Sequence, residues 1–190
     1  MTETSTFAAA GAEFIRFARS YQHTAYRQEV RDNYVDPDEV PDIKRFLARE
    51  PLDESWMDDW LGLILRRTLA GQRIHRVRIV TEPWSDYTRF GLNLSRLNVA
   101  AGEDIRYLSR DHADGLGLPE YDYWLLDSSK MCILRHDDQD VLLGADIVTD
   151  PAVVVEHARY RDIAQRYALP RAAYLAQFGN EYLSKTNIDK

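Results

Sequence analysis

Arg27-Gln28-Glu29-Val30-Arg31, Arg76-Val77-Arg78-Ile79 and Asp104-Ile105-Arg106-Tyr107 place charge on alternate residues with mostly apolar partners between. That spacing is the period of a β-strand with one dry face. If the three segments lie in one sheet and share a face, that face gathers Arg27, Arg31, Arg76, Arg78 and Arg106 with Glu29 and Asp104. Guanidinium groups fork toward carboxylate and phosphate, so one reading is an anion pocket in which the arginines grip the ligand and Glu29 and Asp104 orient them. The other is an ion-pair face whose charges cancel one another. The arginine excess then needs further carboxylates, and Asp86, Glu82 and Glu103 are the candidates.

Glu82-Pro83-Trp84-Ser85-Asp86-Tyr87-Thr88-Arg89 links an expected strand to an expected helix. Ligands of α/β folds collect outside strand ends, where helix N-terminal amides favour anions. Asp86 either contacts such a site or complements the helix dipole. Tyr87 and Arg89 could line a cleft, and Trp84 could stack on a planar ligand or cover the core. The candidate ligand-binding set is therefore Arg27, Glu29, Arg31, Arg76, Arg78, Asp86, Tyr87, Arg89 and Arg106.

Other chemistries find weaker footing. His136, Asp137, Asp138 and Asp140 read as a solvated turn, so no metal is expected. Cys132 sits inside an apolar strand run, where thiols pack and do not react. As the only cysteine it excludes an intramolecular disulfide and any zinc site needing two thiolates, which fits a reducing cytoplasm. Gly115-Leu116-Gly117-Leu118-Pro119 lacks the strand and helix that frame a phosphate loop. No cofactor is implied.

The elements that must position these residues follow from pattern. A helix is expected over 6–21 with Phe7, Ala10, Phe14, Phe17 and Ala18 on one face, then a strand over 24–31. A short helix should carry Ile43, Phe46 and Leu47 inward before Pro51, as a lid. A longer one, capped by Asp53 or Ser55, has Trp56, Trp60, Leu61, Ile64, Leu65 and Leu69 as its apolar stripe and ends at Gly71. A strand over 73–81, a helix from Ser85 to Gly102 and a strand over 104–108 follow. From 122 to 148, short apolar runs alternate with polar tetrads, the signature of an antiparallel meander. Asp150-Pro151 opens a last long helix reaching Tyr167. The expectation is an α/β fold: a mixed sheet with parallel helix-strand units in the first half, an antiparallel meander in the second half, and flanking helices, forming one domain over 1–175 with a helix end and polar tail over 176–190.

Composition bounds the class. The chain has 190 residues, 45% hydrophobic and 29% charged, with net charge −7. The negative balance disfavours direct nucleic-acid binding and attachment to an anionic membrane surface. The first residues lack a signal-peptide pattern and no apolar run reaches the length of a membrane span, so a soluble, cytoplasmic protein is expected. Of 24 basic residues only Lys44, Lys130, Lys185 and Lys190 are lysines, which reflects either genomic composition or a use for planar, bidentate contacts.

Four stretches together carry a resemblance: Tyr26 to Tyr34; Arg76 to Pro83 with Asp86 to Phe90; Ala101 to Arg106; and Leu118-Pro119 with Asp122 to Leu125. Over roughly residues 10 to 170 the chain resembles a family of small actinobacterial proteins described as a domain of unknown function and commonly encoded near helix-turn-helix regulators. The resemblance implies a regulatory role, with a helix-turn-helix protein as partner. More loosely, the helix-Gly-strand unit around Leu61 to Val80 resembles the phospholipase-D-like α/β layer. That family cuts phosphodiesters with a His-x-Lys and a following Asp. Here the residues two beyond His23, His75, His112, His136 and His157 are Ala25, Val77, Asp114, Asp138 and Arg159, so the motif is missing. The first expectation is a non-catalytic ligand-sensing or protein-interaction module with an Arg-rich anion-binding face. The alternative is an enzyme acting on a small anionic, nucleotide- or acyl-derived substrate, with Arg27, Arg31, Arg76 and Arg78 as clamp and Glu29 or Asp86 as acid or base.

Overall fold

The computed structural model describes residues 6–8, 12–36 and 39–179. Strands β1 (Thr6–Ala8), β2 (Thr24–Glu29), β3 (Arg73–Val80), β4 (Asp104–Ser109), β5 (Tyr123–Leu126), β6 (Lys130–His136), β7 (Leu142–Val148) and β8 (Leu169–Pro170) form one sheet. Their order is β1-β7-β6-β5-β2-β3-β4-β8. β2, β3 and β4 run parallel, whereas β5, β6, β7 and β1 continue antiparallel from the β2 edge and β8 pairs antiparallel with β4. Helices α1 (Ala12–Ala18), α2 (Val40–Ala48), α3 (Asp58–Leu69), α4 (Asp86–Ala101), α5 (Arg110–Ala113), α6 (Pro151–Tyr167) and α7 (Arg171–Phe178) flank it. The mixed α/β architecture is the one the pattern predicts: parallel strands need helical crossovers, and α3 and α4 supply them.

Local chemistry explains the elements around the parallel strands. The Ser85 side chain accepts from the Thr88 amide to start α4, and Gly102, at φ 108°, ends it in the left-handed region. Asp150 accepts from the Ala152 and Val153 amides and Pro151 fills the first turn of α6. Between β5 and β6, Asp127 and Ser128 take φ of 52° and 50°, the positive pair of a tight hairpin. The Asp127 carboxylate turns back to accept the amides of Gln22, His23 and Thr24, tying the hairpin to the start of β2.

Each sheet face buries its own core. Ala25, Ile74, Trp124, Leu126, Cys132 and Leu134 pack with Phe17, Ala18 and Ile64 on the face covered by α1 and α3. Tyr26, Val77, Ile79, Leu108, Tyr123 and Leu125 pack with Val154 and Ala164 of α6 on the other. Cys132 is a packing residue whose burial pushes its thiol up to about 12.

Several expectations fail for physical reasons. Residues 6–8 pair with β7 as a strand and so do not continue the opening helix, which begins at Ala12; Ala10 lies outside the described residues. In α2, Phe46 is buried but Leu47 faces out, because the helix rests on α4 along a narrow stripe. The expected stripe of α3 is also too wide: Ile64 is buried, while Trp56, Leu65 and Leu69 are exposed. Pattern alone overestimates burial where only a narrow stripe of the helix meets its neighbours.

Candidate functional site

On the α1/α3/α4 face of the sheet, the alternating charges meet a gap between the strands and α4. The parallel register sets Arg27 level with Arg76 and Glu29 level with Arg78, so all four side chains project to one face of β2 and β3. Here they form the floor of a cleft of about 330 Å³. Tyr107 of β4, Trp124 of β5 and His136 of β6 extend that floor, while Phe90, Gly91, Leu94, Ser95 and Asn98 of α4 make one wall. Trp56, Met57 and Trp60 flank it near α3, and Tyr34, Val35, Asp36 and Glu39 close it from the segment after β2.

Glu29 is the electrostatic centre. Its carboxylate lies 2.7 Å from Arg27, 3.2 Å from Arg78 and 3.6 Å from Arg76. Burial pushes its pKa up, but the attractions of Arg27, Arg78 and Arg76 outweigh that and hold it down at about 2. Arg76 is shared, since its Nε and Nη2 donate to both oxygens of buried Glu103 at 2.8 and 3.1 Å, and Asn98 Nδ2 donates to the same carboxylate. Of the counter-charges the sequence suggested, Glu103 is therefore the one the cleft uses. Glu82 instead accepts from Tyr174, and Asp86 pairs with Arg89 at 3.1 Å.

Aromatic rings hold the guanidiniums flat. Arg78 lies 5.6 Å from the ring centres of both Tyr34 and Tyr87, and Arg27 lies 5.4 Å from Trp124. Arg78 also needs Gly91, because a Cβ there would stand 2.7 Å from its Nη1. Three donors in the cleft-lining residues make no hydrogen bond within the protein: Arg27 Nε, Arg78 Nη2 and Trp124 Nε1. Each is buried, where a donor ordinarily has a partner. The orphan acceptor among these residues is Glu29 Oε2, which nevertheless lies 3.2 Å from Arg78 Nε.

The segment closing the cleft is itself bonded in place. Tyr34 donates to Asp122 at 2.6 Å and Tyr87 donates to Glu39 at 2.8 Å. Arg31 pairs with Asp140, whose carbonyl accepts from the Val35 amide. Burial raises the Glu39 and Asp122 carboxyls above their ordinary values and lowers the His136 imidazole.

Of the nine residues expected to bind a ligand, Arg27, Glu29, Arg76, Arg78 and Tyr87 line the cleft. Arg31 is placed beyond the end of β2 and outside the lining, where its guanidinium pairs with Asp140 and its amide donates to the Tyr34 hydroxyl at 3.4 Å. Asp86 and Arg89 lie at the start of α4 outside the lining, with the Asp86 side chain 59% exposed. Arg106 falls on the opposite face of the sheet: the register places it level with Val77, and it bonds Asp104 and the Gln165 carbonyl of α6. Pattern reasoning missed Trp124, hidden in an apolar run, and also Trp60, Tyr34, Glu39 and His136. Gly91 left one legible signal, a glycine in a helix interior where it weakens the helix. Among the described residues no cluster of three His, Cys, Asp or Glu side chains is arranged to hold a metal. Asp137 accepts the Gln139 and Val141 amides to shape its turn.

Residues 12–176 match the family described as a domain of unknown function, DUF6879. The chain belongs to that family. No curated protein matches its sequence. Among solved structures it is similar to Nuc from Salmonella typhimurium, a phospholipase D family member, at 9% identity and a TM-score of 0.54, covering 90% of this chain and 98% of that one. NucT from Helicobacter pylori is 7% identical with a TM-score of 0.49, covering 90% and 99%. TrmBL2, an archaeal chromatin protein, is 9% identical with a TM-score of 0.46, covering 89% and 53%. The likeness to Nuc is one of fold, and this sequence contains no His-x-Lys motif. No described helix is long and apolar enough to cross a membrane.

Proposed function

We propose that this domain is a non-catalytic ligand-sensing module whose cleft binds a small anion, acting as a cytoplasmic accessory of a helix-turn-helix regulator. The observation that carries the ligand reading is the surplus of unpartnered donors: Arg27 Nε, Arg78 Nη2 and Trp124 Nε1 belong to residues that line one cleft. Such a set is best satisfied by a group that only accepts hydrogen bonds, and an anion does so with added Coulombic gain. The regulatory setting extends the ligand reading through the family resemblance.

Catalysis by the acid or base first expected is disfavoured. A carboxylate held at about 2 by three guanidiniums is a poor proton acceptor near neutral pH, and Asp86 lies outside the cleft. The enzyme reading survives through different residues: Glu39 and His136 line the same cleft with pKa values moved toward neutrality and below the ordinary histidine value respectively.

The test is a thermal-shift titration with acetate, phosphate, nucleotides and larger carboxylates. A ligand at a hundred times its Kd stabilises by about 2.7 kcal/mol, which for a chain of this size raises Tm by roughly 5–10 °C. The expected result is such a shift with at least one anion, lost in Arg78→Gln and weakened in Arg27→Gln, whose side chain is partly exposed and less critical to the core. No shift with any anion, or one indifferent to both substitutions, refutes the proposal. Turnover of a bound anion that is abolished by Glu39→Gln would establish the enzyme reading instead.

A further inference from the structure

We propose that the anion this cleft accepts is a planar aromatic monocarboxylate, an inference that rests on the anion-binding reading above and narrows it to one chemical class.

The charge count sets the valence. Arg27, Arg76 and Arg78 are in contact with two carboxylates, Glu29 and Glu103, leaving one positive charge uncompensated on the floor. A monoanion balances that floor. A phosphate monoester, near −2 at neutral pH, overshoots it.

The donors set the head group. A carboxylate only accepts hydrogen bonds, with two oxygens and about four lone-pair sites, which matches a lining whose unpartnered groups are the donors Arg27 Nε, Arg78 Nη2 and Trp124 Nε1. Arg78 lies beside the adjoining rings of Tyr34 and Tyr87, 5.6 Å from each ring centre, and these contacts help fix its planar fork.

The walls set the body. Part of the lining is ring and hydrocarbon: Trp60 meets Trp124 edge to face at 6.4 Å, and Phe90 and Leu94 stand beside Ser95 and Asn98 on the side toward α4. Trp56 stands at the rim 48% exposed, a large indole surface that is costly to leave in water and is placed to stack on a flat ligand. A volume of about 330 Å³ is at the small end of ligand pockets and suits one or two fused rings. Acetate fills the charge requirement and leaves these surfaces uncovered.

The experiment measures affinities by tryptophan fluorescence and thermal shift for 2-naphthoate, benzoate, acetate, 2-naphthamide, phenyl phosphate and inorganic phosphate. The expected order puts 2-naphthoate at least tenfold tighter than acetate, phenyl phosphate and the uncharged 2-naphthamide. Trp56→Ala, on the exposed rim, should cut the ratio of 2-naphthoate to acetate affinity by severalfold, and Trp60→Phe should cut it less. If acetate, inorganic phosphate or phenyl phosphate binds as tightly as 2-naphthoate in an Arg78-dependent way, the aromatic monocarboxylate is wrong while the anion site stands. If 2-naphthamide binds as well as 2-naphthoate, charge does not select the ligand and the inference falls. If no anion in the panel binds, the inference and the anion-binding reading fall together.

Discussion

Replacing Glu29 by Gln tests the electrostatic core of the cleft without changing its shape. In the native fold three guanidiniums hold the Glu29 carboxyl at about 2 against an ordinary value of 4.5, and the side chain is 4% exposed, so solvent screening is slight. At about 1.4 kcal/mol for each tenfold change in proton affinity, the charged form contributes about 3 kcal/mol to folding at neutral pH. This agrees with the cost of breaking a buried ion pair from one side, roughly 3–5 kcal/mol. For a chain of this length that loss lowers Tm by about 6–12 °C. The sign of the pH dependence follows from a folded pKa below the unfolded one: the contribution is complete above pH 4.5 and disappears as pH falls toward 2. Urea denaturation of the native protein and Glu29→Gln at pH 7, 5, 4 and 3 should show a gap that is constant between 7 and 5 and narrows below. The variant, with one more uncompensated positive charge, should hold anions at least as tightly as the native protein when folded. Equal stabilities at pH 7, or a gap that does not narrow between pH 4.5 and 3, would refute the assignment of Glu29 as the counter-ion of Arg27, Arg76 and Arg78.

Gly91→Ala should weaken anion binding at least tenfold, because the new Cβ would stand 2.7 Å from Arg78 Nη1 and the guanidinium must move. Its Tm should change by only a few degrees, since alanine gains up to about 1 kcal/mol of helix propensity against the displaced contact; an unchanged anion affinity would show that Arg78 does not make the site. Asp127→Ala should lower stability by about 2 kcal/mol or more, measured by urea denaturation, as the amides of Gln22, His23 and Thr24 lose one shared acceptor. Asn at 127, which keeps an oxygen and tolerates the positive φ of 52°, should recover part of that loss, and no loss in the alanine variant would mean that water replaces the carboxylate.

Much of the fold is legible from local patterns because its signals are local. Ser85 and Gly102 delimit α4, Asp150-Pro151 opens α6, and the polar tetrads separate β5, β6 and β7 within a few residues of each other. The period of two likewise places Arg27 with Glu29, and Arg76 with Arg78, on one side of each strand, since alternation within a strand is a property of its backbone. Whether two strands agree in phase is not. The register of β4 against β3 sets Tyr107 beside Arg78 and turns Arg106 to α6, and a slip of one residue would reverse that outcome. The chain end of β2 at Glu29 similarly leaves Arg31 to a loop and to Asp140, 109 positions away. Burial alone decides which arginines are cancelled and which retain free donors, because Glu103, Trp124 and Gly91 approach them only through packing across the sheet and α4. Sequence by itself determined the strands β2 to β7, the alternation of side chains within each and the arginine supply, whereas β1 and β8 came from pairing. The tertiary structure decided that Arg27, Arg76 and Arg78 share one carboxylate under an aromatic cleft, since charge compensation depends on distances of 2.7 to 3.6 Å between side chains that no sequence spacing controls.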